Sequence, residues 1–416
     1  GGHYDRERDN MIAKETIARL RGQGVEVPAP DQVTIAEEVD LARITGPKTV
    51  LHPGTRLGGA GLRIMSGSVI GAEGPATVHD CLLGRDVALK AGFFSGAVFL
   101  DGASMATGAH VRAGTLLEEE ANGAHTVGLK QTILLPFVTL GSLINFCDIL
   151  MAGGTSRRDH SEVGSSFIHF NFTPYGARGD KATPSLIGDV PRGVMLRSPR
   201  IFLGGQAGLV GPIHVDYGTV LAAGFVYRRD HGPDELVVGE SLTPVTLPFT
   251  PRQLNRIHDK VTRNLRYVGN LIALWHWYQE IRQRLAGDDE ALADVYAAGA
   301  VLLGDAIAER RKQLGRIASY MDDSIAELEP KGPRKAAEIA AQRAFGAAWP
   351  EMDPRLAPEC GDDVHHPRKG GKIVRIRVLD HVMVLDRNHE HARLEHDIRC
   401  LERSEAGVPE FDARAP

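Results

Sequence analysis

Several features that would define a class of protein are scarce in this chain. Its 416 residues contain only four cysteines, widely spaced and without a CxxC pair, which predicts reduced thiols rather than a disulfide framework. Basic residues do not exceed acidic ones: the formal net charge is −5 and the pI is near 6.4, so neither nucleic acid nor an anionic membrane is an expected partner. No apolar run approaches the length of a membrane span, and no signal-peptide pattern opens the chain, so we expect a cytoplasmic protein.

Aromatic residues are also few, at 6% of the chain, and small and aliphatic residues recur instead with a period of six. Leu203, Leu209, Val215 and Leu221 stand six positions apart. This spacing is too short for a helical hairpin and too long for the alternation of a single strand. It suits a parallel β-helix, in which each hexad forms one flat face. The same period recurs upstream at Leu51, Leu57, Val69, Met105, Val111 and Leu117.

Changes in composition predict a mainly β protein with an α-helical C-terminal region. After the hexads end, apolar residues such as Ile257, Val261 and Leu265 recur every three or four positions, which is typical of amphipathic helices. These helices need a partner for their apolar stripes, either the open end of the solenoid or another subunit. The predicted divisions are an N-terminal helix and connector at 11–49, a β-helix at 50–230 with inserted loops near 151–160 and 173–200, a helical region at 250–345, and a tail at 346–416 that is not assigned to a folded domain.

The two inserted loops are basic. One interpretation is that they bind the phosphates of a nucleotide or of coenzyme A, because guanidinium groups donate paired hydrogen bonds to phosphate oxygens. The other is that the charges only keep the loops solvated, and both interpretations stay open. We predict no metal site, because Asp159, His160 and Ser161 are adjacent on an extended chain and point in alternate directions. The basic residues are Arg157, Arg158, Lys181, Arg192, Arg197 and Arg200.

Three motifs between residues 109 and 176 carry a family resemblance. They are VRAG with Arg112, VGLK with Lys130, and FNFTPYG with Asn171. In this order they resemble the C-terminal, left-handed β-helix half of the bifunctional N-acetylglucosamine-1-phosphate uridyltransferase/glucosamine-1-phosphate acetyltransferase family, while the uridyltransferase half has no counterpart here. The resemblance implies a left-handed parallel β-helix, packing as a homotrimer, and acetyl-CoA or another acyl-CoA as co-substrate.

The resemblance also implies roles for individual residues. Arg112 and Lys130 would hold the phosphates of an amino-sugar phosphate or nucleotide sugar, and Asn171 would orient the reacting group. Phe172 stands where the family has tyrosine, and Lys181 would add a positive charge to the same acceptor site. The stretches LGGQAGLVGP and LAAG match the family's coenzyme corners, so backbone amides there would hold coenzyme A, namely those near Gly204, Gly205, Ala222 and Ala223.

The chain departs from the family at the catalytic histidine. The family places its general base near the stretch SLINFCD at 142–148, which here contains no histidine. A base within hydrogen-bond reach contributes roughly 10²–10⁴ in rate, so its loss bears directly on activity. His160 in the first inserted loop and His169, two residues before Asn171, are the candidate replacements.

Three functions therefore stay open. The first is a transferase of UDP-N-acetylglucosamine-type metabolism that moves an acyl group from acyl-CoA to an amino-sugar phosphate or nucleotide sugar. The second is a catalytically inactive nucleotide-sugar-binding or regulatory module, which the missing histidine favours. The third is a structural trimeric scaffold whose loops bind another protein. Binding of a UDP-sugar without acetyl transfer would favour the second, and binding of neither ligand would favour the third.

Overall fold

The computed structural model describes residues 14–358, apart from Phe172, Pro174 and residues 176–179, 240–243, 245, 247 and 248. Within this part of the chain, short parallel strands coil into a solenoid with three flat faces, which we call faces A, B and C. Face C by itself is a ten-stranded parallel sheet. The predicted fold class, mainly β with a parallel β-helix followed by helices, is confirmed.

Successive strands occupy faces A, B and C in turn. Face A holds β1 (Thr34–Ile35), β3 (Arg56–Gly58), β6 (Ala76–His79), β9 (Gly92–Ser95), β12 (Ala109–Val111), β21 (Ile168–Phe170), β24 (Gly208–Val210) and β27 (Val226–Tyr227). Face B holds β4 (Arg63–Ile64), β7 (Leu82–Leu83), β10 (Ala97–Phe99), β13 (Thr115–Leu117), β22 (Ser185–Ile187) and β25 (His214–Val215). Face C holds β2 (Val50–Leu51), β5 (Val69–Ile70), β8 (Ala88–Leu89), β11 (Ser104–Met105), β14 (Asn122–Gly123), β16 (Thr139–Leu140), β20 (Glu162–Val163), β23 (Phe202–Leu203), β26 (Val220–Leu221) and β28 (Leu236–Val237). The longer strands β15 (Gly128–Leu134) and β17 (Asn145–Met151) turn the corner from face A to face B, and β18 (Gly154–Ser156) pairs with β19 (Asp159–His160) in a separate antiparallel hairpin.

The six-residue period explains the coil. The four residues of the period from Leu203 to Leu221 lie on faces C, A, B and C in turn, and each is fully buried. Leu203 pairs in register with Leu221 on the next coil, so the solenoid interior consists of apolar ladders. At one point the predicted period is displaced by a residue, because Ile70 is the fully buried member of its strand and Val69 is only half-buried.

The helical region lies along face B. The helices are α1, of which residues 14–22 are described, α2 (Val190–Gly193), α3 (Ile257–His276), a π-helical turn (Trp277–Arg282), α4 (Gln283–Ala286), α5 (Glu290–Ala318), α6 (Met321–Leu328) and α7 (Ala336–Arg355), with 3₁₀ turns at Pro30–Gln32, Leu41–Arg43, Glu329–Lys331 and Pro333–Lys335. Helix α5 contacts α3 and strands β7, β10 and β13, while α3 contacts β22. Outward-facing residues of face B, such as Val98, Leu116 and Leu150, are therefore almost completely buried. The helices cover a side of the solenoid rather than its open end.

Both the strands and the helices extend past the boundaries that the sequence suggested. Strand β1 lies inside the range 11–49, and Glu26 already bridges to Val50, so coiling begins before residue 50. Helix α7 continues beyond residue 345 to Arg355. The remainder of the predicted tail, from residue 359, lies outside the described residues.

One helical stretch of the described chain, Glu290–Lys331, is long and apolar enough to cross a membrane by length and composition alone. The sequence analysis did not anticipate such a stretch. Several of its apolar side chains, including Val295, Leu303 and Ile307, are buried within the protein. Helix α5 packs on α3 and on face B through these residues, while 39% of the apolar window as a whole is buried and Val301 is 66% exposed.

A buried group of charged and aromatic side chains, the Glu118 cluster, attaches the helical region to the solenoid. The Tyr278 hydroxyl donates to Glu118 Oε1 at 2.8 Å, and Arg282 donates two hydrogen bonds to Glu119 at 2.5 and 2.9 Å. The Arg282 guanidinium also lies 3.1 Å from Glu118 Oε1 and stands over the rings of Tyr278 and Tyr296. Burial raises the pKa of Glu118 to about 7, and its Oε2 makes no hydrogen bond with any described residue. The cluster therefore combines a strong contact between the helical region and the solenoid with an incompletely solvated charge.

Candidate functional site

Two predicted acceptor residues stack on successive coils at the corner where face A turns into face B, which we call the A/B corner. Arg112 follows Val111, which pairs with Leu129, so Arg112 lies beside Lys130 of the next coil. Its backbone N–H donates to Leu129 O at 2.9 Å. Lys130 in turn pairs in register with Cys147. Neighbouring coils are about 4.8 Å apart, so two cations stand close together at this corner.

Asp148 and Asn171 complete the A/B corner. Asp148 is 3% exposed and hydrogen-bonds to the Asn171 side chain. Burial raises the pKa of Asp148, and the nearby Arg310, Asn171 and Lys130 oppose this increase. The backbone carbonyl of Asn171 accepts a hydrogen bond from the Thr183 hydroxyl at 2.8 Å, which fixes the chain after β21.

The helical region contributes Arg310 to this corner. Its Nη2 lies 3.2 Å from Asp148 Oδ1, and its Nη1 donates to the backbone carbonyl of Lys181 at 3.2 Å. Arg310 is only 4% exposed, so the ion pair with Asp148 is buried. The Cys147 thiol is close to three positive charges, those of Lys130, Arg112 and Arg310, which lower its pKa. Burial has the larger effect and raises the pKa of Cys147 to about 11. Three cations therefore converge where the predicted acceptor site lies.

Sequence reasoning did not identify Asp148 or Arg310. A signal was present for Arg310, because it falls between Ile307 and Leu314 on the buried stripe of α5. A charged residue at a buried helical position needs a partner of opposite charge. The sequence does not reveal that this partner is Asp148, because the two residues meet only when α5 packs on the solenoid.

His169 lies in the solenoid interior and not at an exposed surface. It pairs in register with Leu209, so it occupies an inward position of the hexad period. Its Nδ1 is 2.5 Å from Cys147 O and its Nε2 is 2.7 Å from Ser185 Oγ. Burial lowers the pKa of His169 to about 4. Both ring nitrogens are engaged within the protein, so this conformation leaves neither to a ligand.

His160 lies in the β18–β19 hairpin, on a different part of the surface. Its Nδ1 is 2.9 Å from the backbone carbonyl of Arg157. Arg157 donates to Glu120 O at 2.8 Å and to the hydroxyl of Thr139 on face C. The hairpin is therefore held against face C, whereas Lys130 and Asn171 lie at the A/B corner.

The other predicted loop residues have varied environments. The Lys181 side chain is exposed, and Phe172 lies outside the described residues. Arg192 pairs with Asp189 and Asp216 and stands over the ring of Tyr217, so its charge is neutralised within the loop.

The predicted coenzyme residues Gly204, Gly205, Ala222 and Ala223 lie at the corner where face C turns into face A, which we call the C/A corner. The backbone N–H of Gly204 donates to Leu221 O at 2.8 Å. A Cβ atom on Gly204 would stand 2.4 Å from the backbone nitrogen of Ala223, so no larger residue fits there. Gly204 is itself buried, whereas Gly205 is half-buried and Ala223 is exposed, so the small residues bring the backbone close to the surface at these two positions.

An open pocket of about 310 Å³ lies beside the C/A corner. Gly128 lines it and contributes no side chain, while Phe93 stacks on the lining residue His110 with ring centroids 5.1 Å apart. Among the described residues, no group of three His, Cys, Asp or Glu side chains is arranged to hold a metal ion. The lining residues are Gly108, His110, Thr126, Val127, Gly128, Leu143, Ile144 and Asn145.

No family model matches the chain. It is 27% identical over 232 residues to the bifunctional protein GlmU of Trichlorobacter lovleyi, an alignment that covers 56% of this chain and 44% of that protein. It is 24% identical over 238 residues to GlmU of a Thermotoga species (57% and 47% covered), and 25% identical over 258 residues to GlmU of Kineococcus radiotolerans (60% and 47% covered). The chain is similar to GlmU and folds as a β-solenoid with a six-residue repeat. It spans a little under half the length of these relatives and matches their C-terminal half.

In this GlmU-like solenoid the two corners bound face A. Cations gather at the A/B corner, which favours phosphate or carboxylate groups. The C/A corner offers exposed backbone and an open pocket. From Asn145 to Asp148 the strand crosses three residues, or about 10 Å, so a ligand the size of a sugar phosphate reaches from one corner to the other.

Proposed function

We propose that this protein transfers an acyl group from acyl-CoA to an amino-sugar phosphate or a UDP-linked amino sugar. The observation that carries the proposal is the A/B corner, where Arg112 and Lys130 stand beside the Asp148–Asn171 pair. The two cations hold the acceptor phosphates, and the Asn171 amide orients the acceptor. Arg310 neutralises Asp148, so the corner stays positively charged. The similarity to GlmU supports this transferase class.

The donor, acetyl-CoA or another acyl-CoA, binds along the C/A corner in this proposal. The backbone near Gly204–Gly205 and Ala222–Ala223 holds its polar arm. Gly205 and Ala223 supply the amide donors, because the N–H groups of Gly204 and Ala222 already donate to the neighbouring coil. We also propose a cytoplasmic location, which suits a coenzyme A donor and the free thiols of Cys81 and Cys147.

A homotrimer is the proposed assembly. Exposed apolar side chains on face A support it, namely Phe93 and, four coils further along, Ile168 and Phe170, since exposed apolar surface favours a protein contact. Sedimentation equilibrium tests this assembly: a mass three times the 45.0 kDa of one chain supports it, and a monomer contradicts it.

Isothermal calorimetry on the full chain tests the binding sites. We expect UDP-N-acetylglucosamine and acetyl-CoA both to bind. Removing one charge-assisted contact costs about 1.5–3 kcal/mol, so Lys130→Ala and Arg112→Ala should each weaken UDP-sugar binding about 10- to 100-fold and leave acetyl-CoA binding unchanged. Arg334→Ala is the matched control, because Arg334 is an exposed basic residue near the start of α7. Failure of both ligands to bind would contradict the transferase.

The second candidate function is a nucleotide-sugar-binding module without catalysis. The positions of His160 and His169 favour it, since neither side chain lies at the A/B corner. A thiol-release assay with acetyl-CoA and glucosamine 1-phosphate separates the two functions. Thiol release that depends on the acceptor supports the transferase, and sugar binding without thiol release supports the module.

A further inference from the structure

A hydrogen-bonded pair of reactive side chains, His125 and Ser142, stands at the C/A corner. His125 follows β14 and Ser142 follows β16, so they lie on consecutive coils. His125 Nδ1 is 2.8 Å from Ser142 Oγ. The backbone fixes the pair, because Leu143 N–H donates to His125 O at 3.0 Å and Ser142 N–H donates to Ser165 Oγ at 3.1 Å.

The pair is accessible and borders the pocket of about 310 Å³. His125 is exposed and Ser142 is half-buried. Thr126 and Leu143, the residues that directly follow them, line the pocket. His125 therefore meets a condition that the interior His169 does not, namely access to a ligand from solvent.

The pair also shares its corner with the proposed coenzyme residues. The C/A column runs from Ser142 through Ser165 to Gly205 on consecutive coils, each two residues after a paired strand residue. Two coil spacings separate Ser142 from Gly205, or about 10 Å. A thioester arm that lies along this column ends beside His125 and Ser142.

The geometry points to His125 as the general base of acyl transfer, with Ser142 as a positioning residue. This inference rests on the proposed function. In the tautomer with the proton on Nδ1, His125 donates a hydrogen bond to Ser142 Oγ. Its Nε2 is then unprotonated and can accept a proton. Ser142 then holds the ring in one tautomer and one orientation, as an orienting group does for a catalytic base.

The reaction balances without a further reactant. The acceptor amine attacks the thioester carbonyl, a C–N bond forms, and His125 Nε2 takes the amine proton. The C–S bond then breaks, and the coenzyme A thiolate leaves and takes the proton from the imidazolium. The products are an amide and a free thiol, and His125 is neutral again.

The test uses the full chain and two measurements. The first is thiol release from acetyl-CoA with glucosamine 1-phosphate as acceptor, and the second is acetyl-CoA binding by calorimetry. We expect His125→Ala to lower kcat about 10²-fold or more, the contribution of a positioned base, with unchanged acetyl-CoA affinity. Added imidazole should restore part of the rate, because the site is open to solvent. Ser142→Ala should lower kcat only about 2- to 10-fold, the worth of one hydrogen bond.

Two further variants sharpen the test. Gly128→Val fills the pocket and should raise KM for the acceptor. The substitution causes no clash at Cβ, because a Cβ atom on Gly128 would meet only Asn145 Oδ1 at 3.6 Å and Ile144 O at 3.9 Å. His258→Ala, which removes an exposed histidine on α3, is the control and should leave kcat and KM unchanged.

Each outcome is decisive. If the native protein releases thiol and His125→Ala keeps the full rate, the assignment of His125 is overturned while the proposed function stands. A loss in Ser142→Ala as large as in His125→Ala overturns it in favour of an acyl-serine intermediate. If the native protein releases no thiol, the proposed function itself fails.

Discussion

Faces A and B are built from the same hexads but have opposite environments. On face B, the outward-facing residues Leu116 and Leu150 are fully buried under α3 and α5. On face A, the outward-facing residues Phe93 and Ile168 are 38% and 39% exposed. Because the helices cover only face B, that face contributes to the stability of the fold. Face A and its corners remain available for ligands or another subunit.

The largest expected effect comes from breaking the attachment of the helices to the solenoid. Arg282→Met leaves the buried Glu118, and the half-buried Glu119 beside it, without their cation. Because removing one partner of a buried ion pair leaves an uncompensated charge, we expect the free energy of unfolding to fall by about 3–5 kcal/mol. Urea denaturation measures it. The control is Arg284→Met, whose exposed pair with Glu280 should contribute less than about 1 kcal/mol, and equal losses would contradict the role of the cluster.

A direct test of the comparison truncates one outward-facing residue on each face. Leu150→Ala on face B should lower the free energy of unfolding by about 2–5 kcal/mol, because it opens a cavity beneath the helices. Ile168→Ala on face A should cost much less, since its side chain is already partly in water. Denaturation of the two variants under one set of conditions gives the comparison. A similar loss in both would show that the helices do not make the difference.

The Glu118 cluster should also make stability depend on pH. Burial raises the pKa of Glu118 to about 7 from 4.5, so between these values the folded state holds a proton that the unfolded state has lost. The resulting stabilisation is full below about pH 4.5 and is lost as the pH rises through 7, by up to about 3 kcal/mol. Urea midpoints measured across this range, in the native protein and in Glu118→Gln, check it. The variant should lack this component, and an unchanged slope would refute the assignment.

The smallest effect concerns the two histidines that the sequence suggested as bases. His169→Ala removes the imidazole from the Ser185 hydroxyl and from the carbonyl of Cys147 in the solenoid interior, so we expect a loss of about 1–3 kcal/mol in the free energy of unfolding. His160→Ala in the hairpin should stay within about 0.5 kcal/mol, as is usual for surface positions. Thermal denaturation of both variants distinguishes a buried from a peripheral histidine, and a stable His169→Ala protein would contradict the buried role.

Much of the solenoid could be predicted from particular residues. The spacing from Leu203 to Leu221 specifies one apolar side chain for each flat face, and the structure buries all four. Arg112 and Lys130 could be placed at one corner because 18 residues, or three hexads, separate them. Asn171 was placed by the family resemblance and not by the period. The interior position of His169 was not readable in this way: it pairs with Leu209 on the adjacent coil, but the 40 residues between them include an inserted loop and are not a whole number of hexads.

Other features could not be predicted, because they depend on contacts between distant parts of the chain. Arg310 meets Asp148, and Arg282 meets Glu118, only when the helices lie along face B. Similarly, the approach of His125 to Ser142 depends on how the loops of two coils stack.

The sequence by itself determined the coil, because a six-residue period is a local property that each hexad satisfies with its own buried side chain. The tertiary structure decided which face is covered, which charges are buried and which histidine reaches solvent. These features depend on the packing of the helices and on the phase of each coil, where a shift of one residue moves a side chain from the solvent into the core.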